Sequence, residues 1–591
     1  MQPTAKQCPS LGSPSRRTFI KGVFNGFLLL GALPYLKAAK ATSQVVPALS
    51  GTEFDLTIAN TLVNISGTER IATTINGTVP GPTLRWQEGD IVTLRVKNLL
   101  TEETSIHWHG IILPYQMDGA PQISFDGIAP GKTFTYRFKV QQSGTYWYHS
   151  HSEMQEQTGL YGAIVIEPAK PEAIQSDRDY VVLLSDWTDE DPMAVFGKLK
   201  KESAYYNLNQ PTVVDFFRDV ANEGFGSAIE KRHMWNMMRM NPTDLSDISA
   251  STYTYLVNGH TSEDNWLGLF KPGEKIRLRF INASAQSFFD VRIPGLKMAV
   301  VAADGQNVDP VEVDEFRIGL AENYDVIVTP EHSVYTLFAQ SMDRTGCVHG
   351  TLATQAGLLA AVPALDKAQP LTMADMMGAM DHTMHHDMAD MDHSHMTPEQ
   401  MRQMGHDMAD AKTASKKTIQ VHHASTEFGA SVDMRVDTPR TNLDDPGVGL
   451  RNNGRRVLTY ADLHTIGGTL DSRAPTREME LHLTGNMQRY TWSFDGVEYN
   501  EAEPIHFRHG ERLRVILVND TMMTHPVHLH GMWSELETPE GEFQARKHTI
   551  VVQPAQRVTF LVTADALGRW PWHCHLFYHM HAGMFREVVV S

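Results

Sequence analysis

Three segments of the sequence repeat one pattern, and this repeat limits the fold more than any other feature. Each segment has a turn with Gly and an acidic residue, then a run that alternates apolar and basic residues, then Asn. The repeats occupy residues 88–98, 271–282 and 509–519. Short runs rich in Val, Ile, Thr and Tyr, closely interrupted by Gly, Pro, Asn and Asp, are typical of β-sandwiches or barrels. We therefore predict an all-β protein with three consecutive copies of one module.

The 591 residues of the chain are too many for one core and agree with three or more domains. We place the modules at residues 50–168, 175–355 and 455–591. Residues 416–454 are either a linker or the early part of the third module.

Between the second and third modules the composition changes. From Met373 to Met408 the chain is rich in Met, His and Asp and has almost no aliphatic residues. Such a segment cannot bury a core, so we predict a flexible, low-complexity linker over residues 365–415. Because thioethers prefer Cu(I), the segment is interpreted as a copper-gathering arm; a linker of biased composition is the alternative. The candidate copper-recruiting residues are Met376, Met380, His382, Met384, His385, Met391, His393, His395 and Met396.

The first 41 residues have the layout of an export signal. Arg16 and Arg17 precede an apolar run, 23–36, and a small-residue pattern ends at Ala41. The paired arginines resemble a twin-arginine signal, which predicts export to the bacterial periplasm. The apolar run is short and interrupted by Gly and Pro, so we expect no membrane span after signal removal; a retained anchor is the alternative. The net charge of −18 excludes a nucleic-acid partner, which needs a basic surface.

Of the three cysteines, Cys8 leaves with the signal, so Cys347 and Cys574 remain. Two thiols in an exported protein could form one disulfide. Cys574 lies between two histidines, however, and a metal ligand is the better interpretation. Cys347 is then expected to be a buried, unreactive thiol.

Four His-x-His pairs predict a metal cluster. Residues two apart in a strand project from the same face, so each pair offers two imidazoles to one site. Imidazole suits copper, and four matched pairs suit a cluster of several ions. The pairs are His107 and His109, His149 and His151, His528 and His530, and His573 and His575.

The third module encodes a second metal site. Cys574 points away from its two histidine neighbours, and the odd-numbered His525 tends to face away from His528 and His530. His579 and Met584 follow. One thiolate, two imidazoles and a distant thioether are the ligands of blue copper. By strand and side-chain dimensions, an electron at this copper lies about 10 Å from the cluster.

These motifs closely resemble the four copper motifs of the multicopper oxidases. They read His107-Trp108-His109-Gly110, Trp147-Tyr148-His149-Ser150-His151, His525-Pro526-x-His528-x-His530-Gly531 and His573-Cys574-His575-x3-His579-x4-Met584. The resemblance implies three cupredoxin-like domains, which are Greek-key β-sandwiches, and four copper ions that pass electrons to dioxygen. It assigns the type 1 copper to His525, Cys574, His579 and Met584. It assigns the type 2 copper to His107 and His528. It assigns the type 3 pair to His109, His149, His151, His530, His573 and His575.

Proton supply is less clear from the sequence. Reduction of oxygen to water needs protons from a nearby acid. By the same resemblance, Asp118 stands where the family carries an aspartate beside the cluster, and a turn residue is the alternative. Met580 replaces a glutamate that many bacterial relatives use to move protons, so that route is in doubt.

The electron donor is open. Asp520, Met522 and Met523 precede His525 and form a candidate Cu(I) site, since Met523 resembles a cuprous ligand of copper-tolerance oxidases; edge packing is the alternative. The Met-rich run 233–240 either joins this site or forms a surface helix. With the signal and linker, these features resemble copper-resistance oxidases of the bacterial periplasm. The resemblance implies oxidation of Cu(I) to Cu(II), with other periplasmic copper-resistance proteins as partners. A laccase-like phenol oxidase and a copper-sequestering protein are the alternatives.

Overall fold

The computed structural model describes residues 46–172, 174–238, 240–378 and 421–591. The predicted signal, residues 1–41, lies outside the described residues. Most of the predicted copper-gathering arm lies outside them as well, namely Met380, His382, Met384, His385, Met391, His393, His395 and Met396.

The first module consists of two sheets. Its strands are β1 (Ala48–Ser50), β2 (Glu53–Asn64), β3 (Glu69–Ile75), β4 (Thr83–Gln87), β5 (Ile91–Asn98), β6 (His107–His109), β7 (Thr133–Lys139), β8 (Gly144–His149) and β9 (Tyr161–Glu167). The sheet orders are β1-β4-β9-β8-β6 and β3-β2-β5-β7. Apolar side chains from both sheets, among them Leu56, Trp86 and Ile164, form one core.

The second module repeats this two-sheet plan. Its strands are β10 (Arg178–Thr188), β11 (Tyr253–Val257), β12 (Leu267–Leu269), β13 (Ile276–Asn282), β14 (Phe289–Arg292), β15 (Met298–Ala303), β16 (Gln306–Val313), β17 (Glu315–Ile318), β18 (Asn323–Val328), β19 (Val334–Ser341) and β20 (Cys347–Ala353). The sheet orders are β11-β10-β13-β18-β15-β16 and β12-β20-β19-β14-β17.

The third module has the same plan again. Its strands are β21 (Arg477–Asn486), β22 (Thr491–Phe494), β23 (Ile505–Phe507), β24 (Arg512–Asn519), β25 (His525–Leu529), β26 (Ser534–Glu537), β27 (Phe543–Lys547), β28 (Thr549–Val552), β29 (Arg557–Thr563), β30 (Gly568–Cys574) and β31 (Phe585–Val590). The sheet orders are β22-β21-β24-β29-β26-β27 and β23-β31-β30-β25-β28. Its core is continuous with that of the second module.

The asparagine that ends each sequence repeat has the same structural role in all three modules. Asn98, Asn282 and Asn519 end strands β5, β13 and β24 and are fully buried. Each side-chain amide donates to two backbone carbonyls. Each side-chain oxygen accepts from the backbone N–H two residues on. The loop after each of these strands is therefore fixed, and in the third module that loop leads directly to His525.

The helices connect the strands. They are α1 (Pro192–Leu199), α2 (Val213–Glu223), α3 (Phe225–Met238), α4 (Met373–Met377) and α5 (Phe577–His581). Short 3₁₀ helices lie at Tyr115–Met117, Ser425–Phe428, Tyr460–Asp462 and Tyr499–Glu501. The Met-rich run 233–240 thus begins inside helix α3. In the described part of the chain, none of the helices combines the length and apolarity needed to span a bilayer.

The beginning of the predicted linker is folded, which corrects the interpretation of Met376. Thr372 and Asp375 form a capping box that starts α4, and Asp375 also pairs with Arg451 at 2.5 Å. Met376 is fully buried and packs in the core of the second and third modules. A thioether in that position is not accessible to copper in solution, so Met376 does not belong to a copper-gathering arm.

Two further segments refine the sequence analysis. Residues 421–436 pack on the third module, since the backbone N–H of Val436 donates to Asp520 Oδ1 at 2.8 Å and Val421 packs against Ile516. Cys347 and Cys574 are both free thiols, so the disulfide alternative is wrong. Cys347 is half-buried rather than buried, and burial raises the pKa of its thiol.

Candidate metal centre

The predicted blue-copper residues converge in the third module. Antiparallel pairing of β25 with β30 sets Val527 opposite Cys574 and brings the start of β25 close to the thiol. His525 Nδ1 lies 3.4 Å from Cys574 Sγ and 3.3 Å from His579 Nδ1. Met584 is fully buried beside them, and its carbonyl accepts from the Cys574 N–H at 3.1 Å. Two imidazole nitrogens and one thiol thus face a common point.

A carboxylate from the second module holds His579. Asp247 Oδ2 lies 2.8 Å from His579 Nε2, and Gln286 Nε2 donates to the same oxygen at 2.5 Å. On one face His579 stacks on Trp492, with ring centroids 3.7 Å apart. Asp247 fixes which nitrogen of His579 faces Cys574, because its bond occupies the other one. No motif or spacing in the sequence points to Asp247.

The second imidazole of this group, that of His525, is held by the loop that Asn519 fixes. Thr521 Oγ1 lies 2.7 Å from His525 Nε2, so Nδ1 remains for the metal. The imidazoles of His525 and His579 are both fully buried, each at 0% exposure. Because the loop is anchored by the buried amide of Asn519, the ring is oriented before any metal arrives.

The four His-x-His pairs come together where the first and third modules meet. Pairing of β6 with β8 sets His107 opposite His149, and pairing of β25 with β30 sets His528 opposite His573. Rings from the two modules stack on each other, with centroids 3.9 Å apart for His107 and His530 and 3.8 Å apart for His109 and His528. His151 lies 5.1 Å from His573, centroid to centroid. The predicted convergence of these residues is present in the structure.

Hydrogen bonds orient the cluster imidazoles. His107 Nδ1 donates to the Asp118 carbonyl at 2.8 Å, and His530 Nδ1 lies 2.9 Å from Asp118 Oδ2. His528 Nδ1 donates to the carbonyl of His548 at 2.6 Å. In these three rings the Nδ1 atom is occupied, so Nε2 faces the cluster. Asp118 therefore contacts a histidine of the first module and a histidine of the third module. Its side chain is fully buried beside the histidine cluster.

The ring nitrogens of the histidine cluster are suited to binding cations. Buried ring nitrogens of five cluster histidines have no hydrogen-bond partner, namely those of His107, His109, His149, His151 and His528. Both nitrogens of His575 are also without one, and His530 Nε2 faces His573 Nε2 at 3.1 Å. Facing lone pairs in a buried site are unfavourable without a cation between them. Copper accepts such imidazole nitrogens.

Burial also sets the protonation of these ligands. Desolvation lowers the pKa of His530 and His525 well below its usual value, and lowers the pKa of His573 to about 4. The same desolvation raises the pKa of the Cys574 thiol. The imidazoles are therefore neutral and available as ligands, whereas the thiolate forms only with a cation beside it.

Two residues near the cluster were not found from the sequence. Glu156 Oε2 lies 2.7 Å from His149 Nδ1, and Glu156 Oε1 lies 4.0 Å from His575 Nδ1. His548 lies 4.8 Å from His109, centroid to centroid. Glu156 is five residues after His151, which is the one hint that the sequence offers. His548 stands alone in the sequence, without a histidine two residues away.

The candidate Cu(I) site before His525 is arranged differently from the expectation. Met522 and Met523 are each 2% exposed and pack in the core. Asp520 is fully buried and lies 2.7 Å from His482 Nδ1. Its carboxylate is therefore engaged by an imidazole, and Asp520 does not form an exposed site with the two thioethers.

Comparisons with known proteins agree with this geometry. Family profiles described as multicopper oxidase match residues 57–171, 178–364 and 472–591. Copper resistance protein A of Escherichia coli is 56% identical, over 98% of this chain and 99% of that protein. Copper resistance protein A of Pseudomonas syringae pv. tomato is 54% identical over the same shares.

The fold matches solved structures as well. The multicopper oxidase Fet3p aligns with a TM-score of 0.63 at 18% identity, over 92% of this chain and 91% of that one. The three two-sheet modules are thus cupredoxin domains, as predicted, and the histidine clusters are those of type 1, type 2 and type 3 copper sites. The chain is a copper-containing oxidoreductase and belongs to the multicopper oxidase family.

Proposed function

We propose that this multicopper oxidase acts in copper resistance in the bacterial periplasm and oxidises Cu(I) to Cu(II). Four Cu(I) ions are oxidised for each O2 that is reduced to water. The support is the identity of 56% to a copper resistance protein over nearly the whole chain, together with the surroundings of His525 and His579.

The burial of the type 1 imidazoles is the observation that favours a metal-ion donor. A phenol must bring its ring close to a ligand imidazole to transfer an electron, yet His525 and His579 have no exposed surface. Their outer nitrogens are taken by Thr521 and Asp247. A cation needs only a small opening, and it is attracted by the carboxylate of Asp247. We therefore place electron entry at the side of His579 that Asp247 covers.

We propose the following roles for the copper ligands. His525, Cys574, His579 and Met584 hold the type 1 ion. His107 and His528 hold the type 2 ion. His109, His149, His151, His530, His573 and His575 hold the type 3 pair. When bound, these ions accept single electrons and deliver them to dioxygen.

The protein supplies the path and the protons. Cys574 has its side chain in the type 1 site and its covalent neighbours His573 and His575 in the cluster, so the backbone of residues 573–575 connects the two centres. Asp118 Oδ2 lies against His530 Nδ1 at 2.9 Å. We propose that Asp118 receives protons there and passes them to the reduced oxygen. This role does not need a carboxylate at position 580, where the chain has Met.

The test compares donors on the copper-loaded enzyme. We expect oxygen uptake with chelated Cu(I) to exceed uptake with a catechol. Asp247→Asn should slow Cu(I) oxidation and leave catechol oxidation unchanged, whereas the control Asp244→Asn, at another buried acid of the same segment that bonds to Asn207, should change neither. Faster uptake with the catechol contradicts the proposal and supports a laccase-like oxidase.

A second variant tests the copper-gathering arm. Deletion of residues 379–408 leaves α4 and the buried Met376 in place. We expect slower Cu(I) oxidation at low copper concentration and an unchanged type 1 site. If the deletion removes most of the bound copper and neither donor supports oxygen uptake by the full chain, the protein is a copper-sequestering protein rather than an oxidase.

A further inference from the structure

A second group of histidines and carboxylates lies in the third module, outside the copper centres described above. It consists of His423, Glu427, His482 and Asp520. Their side chains are 7%, 1%, 2% and 0% exposed. The two imidazole rings are 4.9 Å apart, centroid to centroid. We call this group the His423–Asp520 cluster.

Four donor atoms of the cluster face one another. Glu427 Oε2 lies 2.7 Å from His423 Nδ1 and 3.3 Å from His482 Nδ1. Asp520 Oδ2 lies 2.7 Å from His482 Nδ1 and 3.5 Å from His423 Nδ1. Ligand atoms about 2.0 Å from one ion are about 2.8 Å apart in a square plane and about 3.3 Å apart in a tetrahedron. The four donors already have the spacing of a metal coordination shell.

The carboxylates are fixed with one oxygen free for a ligand. Glu427 Oε1 accepts from the Ala424 N–H at 2.8 Å, which leaves Oε2 to face the imidazoles. Asp520 Oδ1 accepts from the Val436 N–H at 2.8 Å, which leaves Oδ2. The backbone therefore orients both carboxylates before a cation binds.

Each outer nitrogen lies near a carboxylate, and that of His482 is hydrogen-bonded to it. His482 Nε2 lies 3.3 Å from Glu480 Oε1, and His423 Nε2 lies 3.4 Å from Asp437 Oδ1. A carboxylate on the outer nitrogen fixes the tautomer of a metal-binding histidine and makes it a stronger ligand. Asp437, with its side chain 87% exposed, marks the edge of the cluster that solvent can reach. We expect a cation to enter at this edge.

We propose that the His423–Asp520 cluster is an additional metal site, separate from the type 1, type 2 and type 3 centres, and that it binds Cu(II). Two imidazoles and two carboxylates are nitrogen and oxygen donors, and such sites bind Cu(II) more tightly than the other divalent first-row ions. Cu(I) prefers sulfur, and no sulfur atom is among these donors. The ion displaces the protons of the Nδ1 atoms, so binding releases protons.

The alternative is that the His423–Asp520 cluster holds no metal and that its imidazoles and carboxylates are joined only by hydrogen bonds. Without a metal, burial disfavours the charged form of His482, but the hydrogen bonds that the ring donates to Asp520 and Glu480 outweigh it and raise its pKa to about 10. In that state an imidazolium balances the carboxylates, and the group serves only to hold residues 421–436 against β21 and β24. The two states differ in metal content and in spectrum.

The experiment uses the full copper-loaded chain, dialysed against Cu(II) buffered with nitrilotriacetate. The variants are His423→Gln with His482→Gln, and Glu427→Gln, which keeps the shape and removes one charge. His422→Gln is the matched control, since His422 is the exposed neighbour of His423. We expect the double variant to hold one copper fewer per chain than the wild type and the control. Glu427→Gln should hold the same ion more weakly.

Electron paramagnetic resonance identifies the ion that is lost. We expect the wild type to show a Cu(II) signal with coupling to two nitrogens that the double variant lacks, while the blue type 1 band of the folded variant is unchanged. Equal copper content and equal spectra in all forms overturn the proposal and leave the hydrogen-bonded cluster without a metal. A cluster that takes Zn(II) under the same conditions but leaves Cu(II) in solution contradicts the choice of metal. None of these outcomes depends on oxidase activity.

Discussion

Replacing Asp247 by Asn should raise the reduction potential of the type 1 copper. The carboxylate of Asp247 lies 2.8 Å from His579 Nε2. If the copper lies about 2 Å from the nitrogen on the far side of the His579 ring, the negative charge of Asp247 lies about 7 Å from the copper ion. A negative charge stabilises Cu(II) more than Cu(I), so its removal favours the reduced state. Asn keeps the size of the side chain and can still bond to His579.

The expected size follows from Coulomb's law. At an effective dielectric constant of about 20, one charge at about 7 Å contributes about 2.4 kcal/mol. For a one-electron couple this corresponds to about 100 mV. Because Asp247 is also proposed as the point of electron entry, Cu(I) oxidation should slow in the variant although the driving force for accepting the electron is larger.

The assay is a redox titration of the blue absorbance band in Asp247→Asn, the wild type and Asp244→Asn. Asp244 is a buried acid of the same segment that bonds to Asn207 and not to a copper ligand, so its variant controls for a general loss of charge. A potential that stays at the wild-type value or falls refutes the reasoning. A rise of equal size in the control refutes it too, since the effect then does not pass through His579.

Three more predictions concern the histidine cluster between the first and third modules. Asp118→Asn should lower turnover by a factor of about 100 or more while single-electron reduction of the type 1 copper stays fast, as stopped-flow mixing can measure. Gly119→Ala should destabilise the fold by about 3 kcal/mol or more in a denaturant titration, because Gly119 has φ +86° and an added Cβ would lie 1.8 Å from the Ile106 carbonyl oxygen. The metal-free protein should lose stability as the pH falls from about 6.5 toward 4. In this pH range the imidazoles of the unfolded chain bind protons, whereas buried imidazoles such as His573, with a pKa of about 4, do not. The free energy of unfolding therefore falls by about 1.4 kcal/mol per pH unit for each such group. A free energy of unfolding that does not change with pH contradicts this prediction.

The parts of the site that follow strand periodicity could be predicted from the sequence. His107 and His109 are two apart on β6, so their shared face follows from the pleat alone, and His573 and His575 flank Cys574 at the end of β30. The repeated asparagines likewise predicted three modules, and Asn519 proved to fix the loop before His525. These features are local, and local patterns are what a single sequence displays.

Contacts between distant segments could not be predicted. Asp247 reaches His579 across two modules, and no spacing relates the two residues. Its nearness to Met523 in sequence favours a thioether site for Asp520, whereas its partners are His423, His482 and the backbone N–H of Val436. Met376 was assigned by composition, although Thr372 and Asp375 have the spacing of a capping box that predicts a helix start.

We propose that Cys574 links the two copper centres, and the absorbance and oxygen uptake of Cys574→Ser decide whether it does. With full copper loading, we expect the variant to lose the intense blue band and to be unable to reduce oxygen with Cu(I), while copper remains bound to the histidine cluster. A variant that keeps the blue colour, or that still couples Cu(I) oxidation to oxygen uptake at the wild-type rate, would show that Cys574 is not the link.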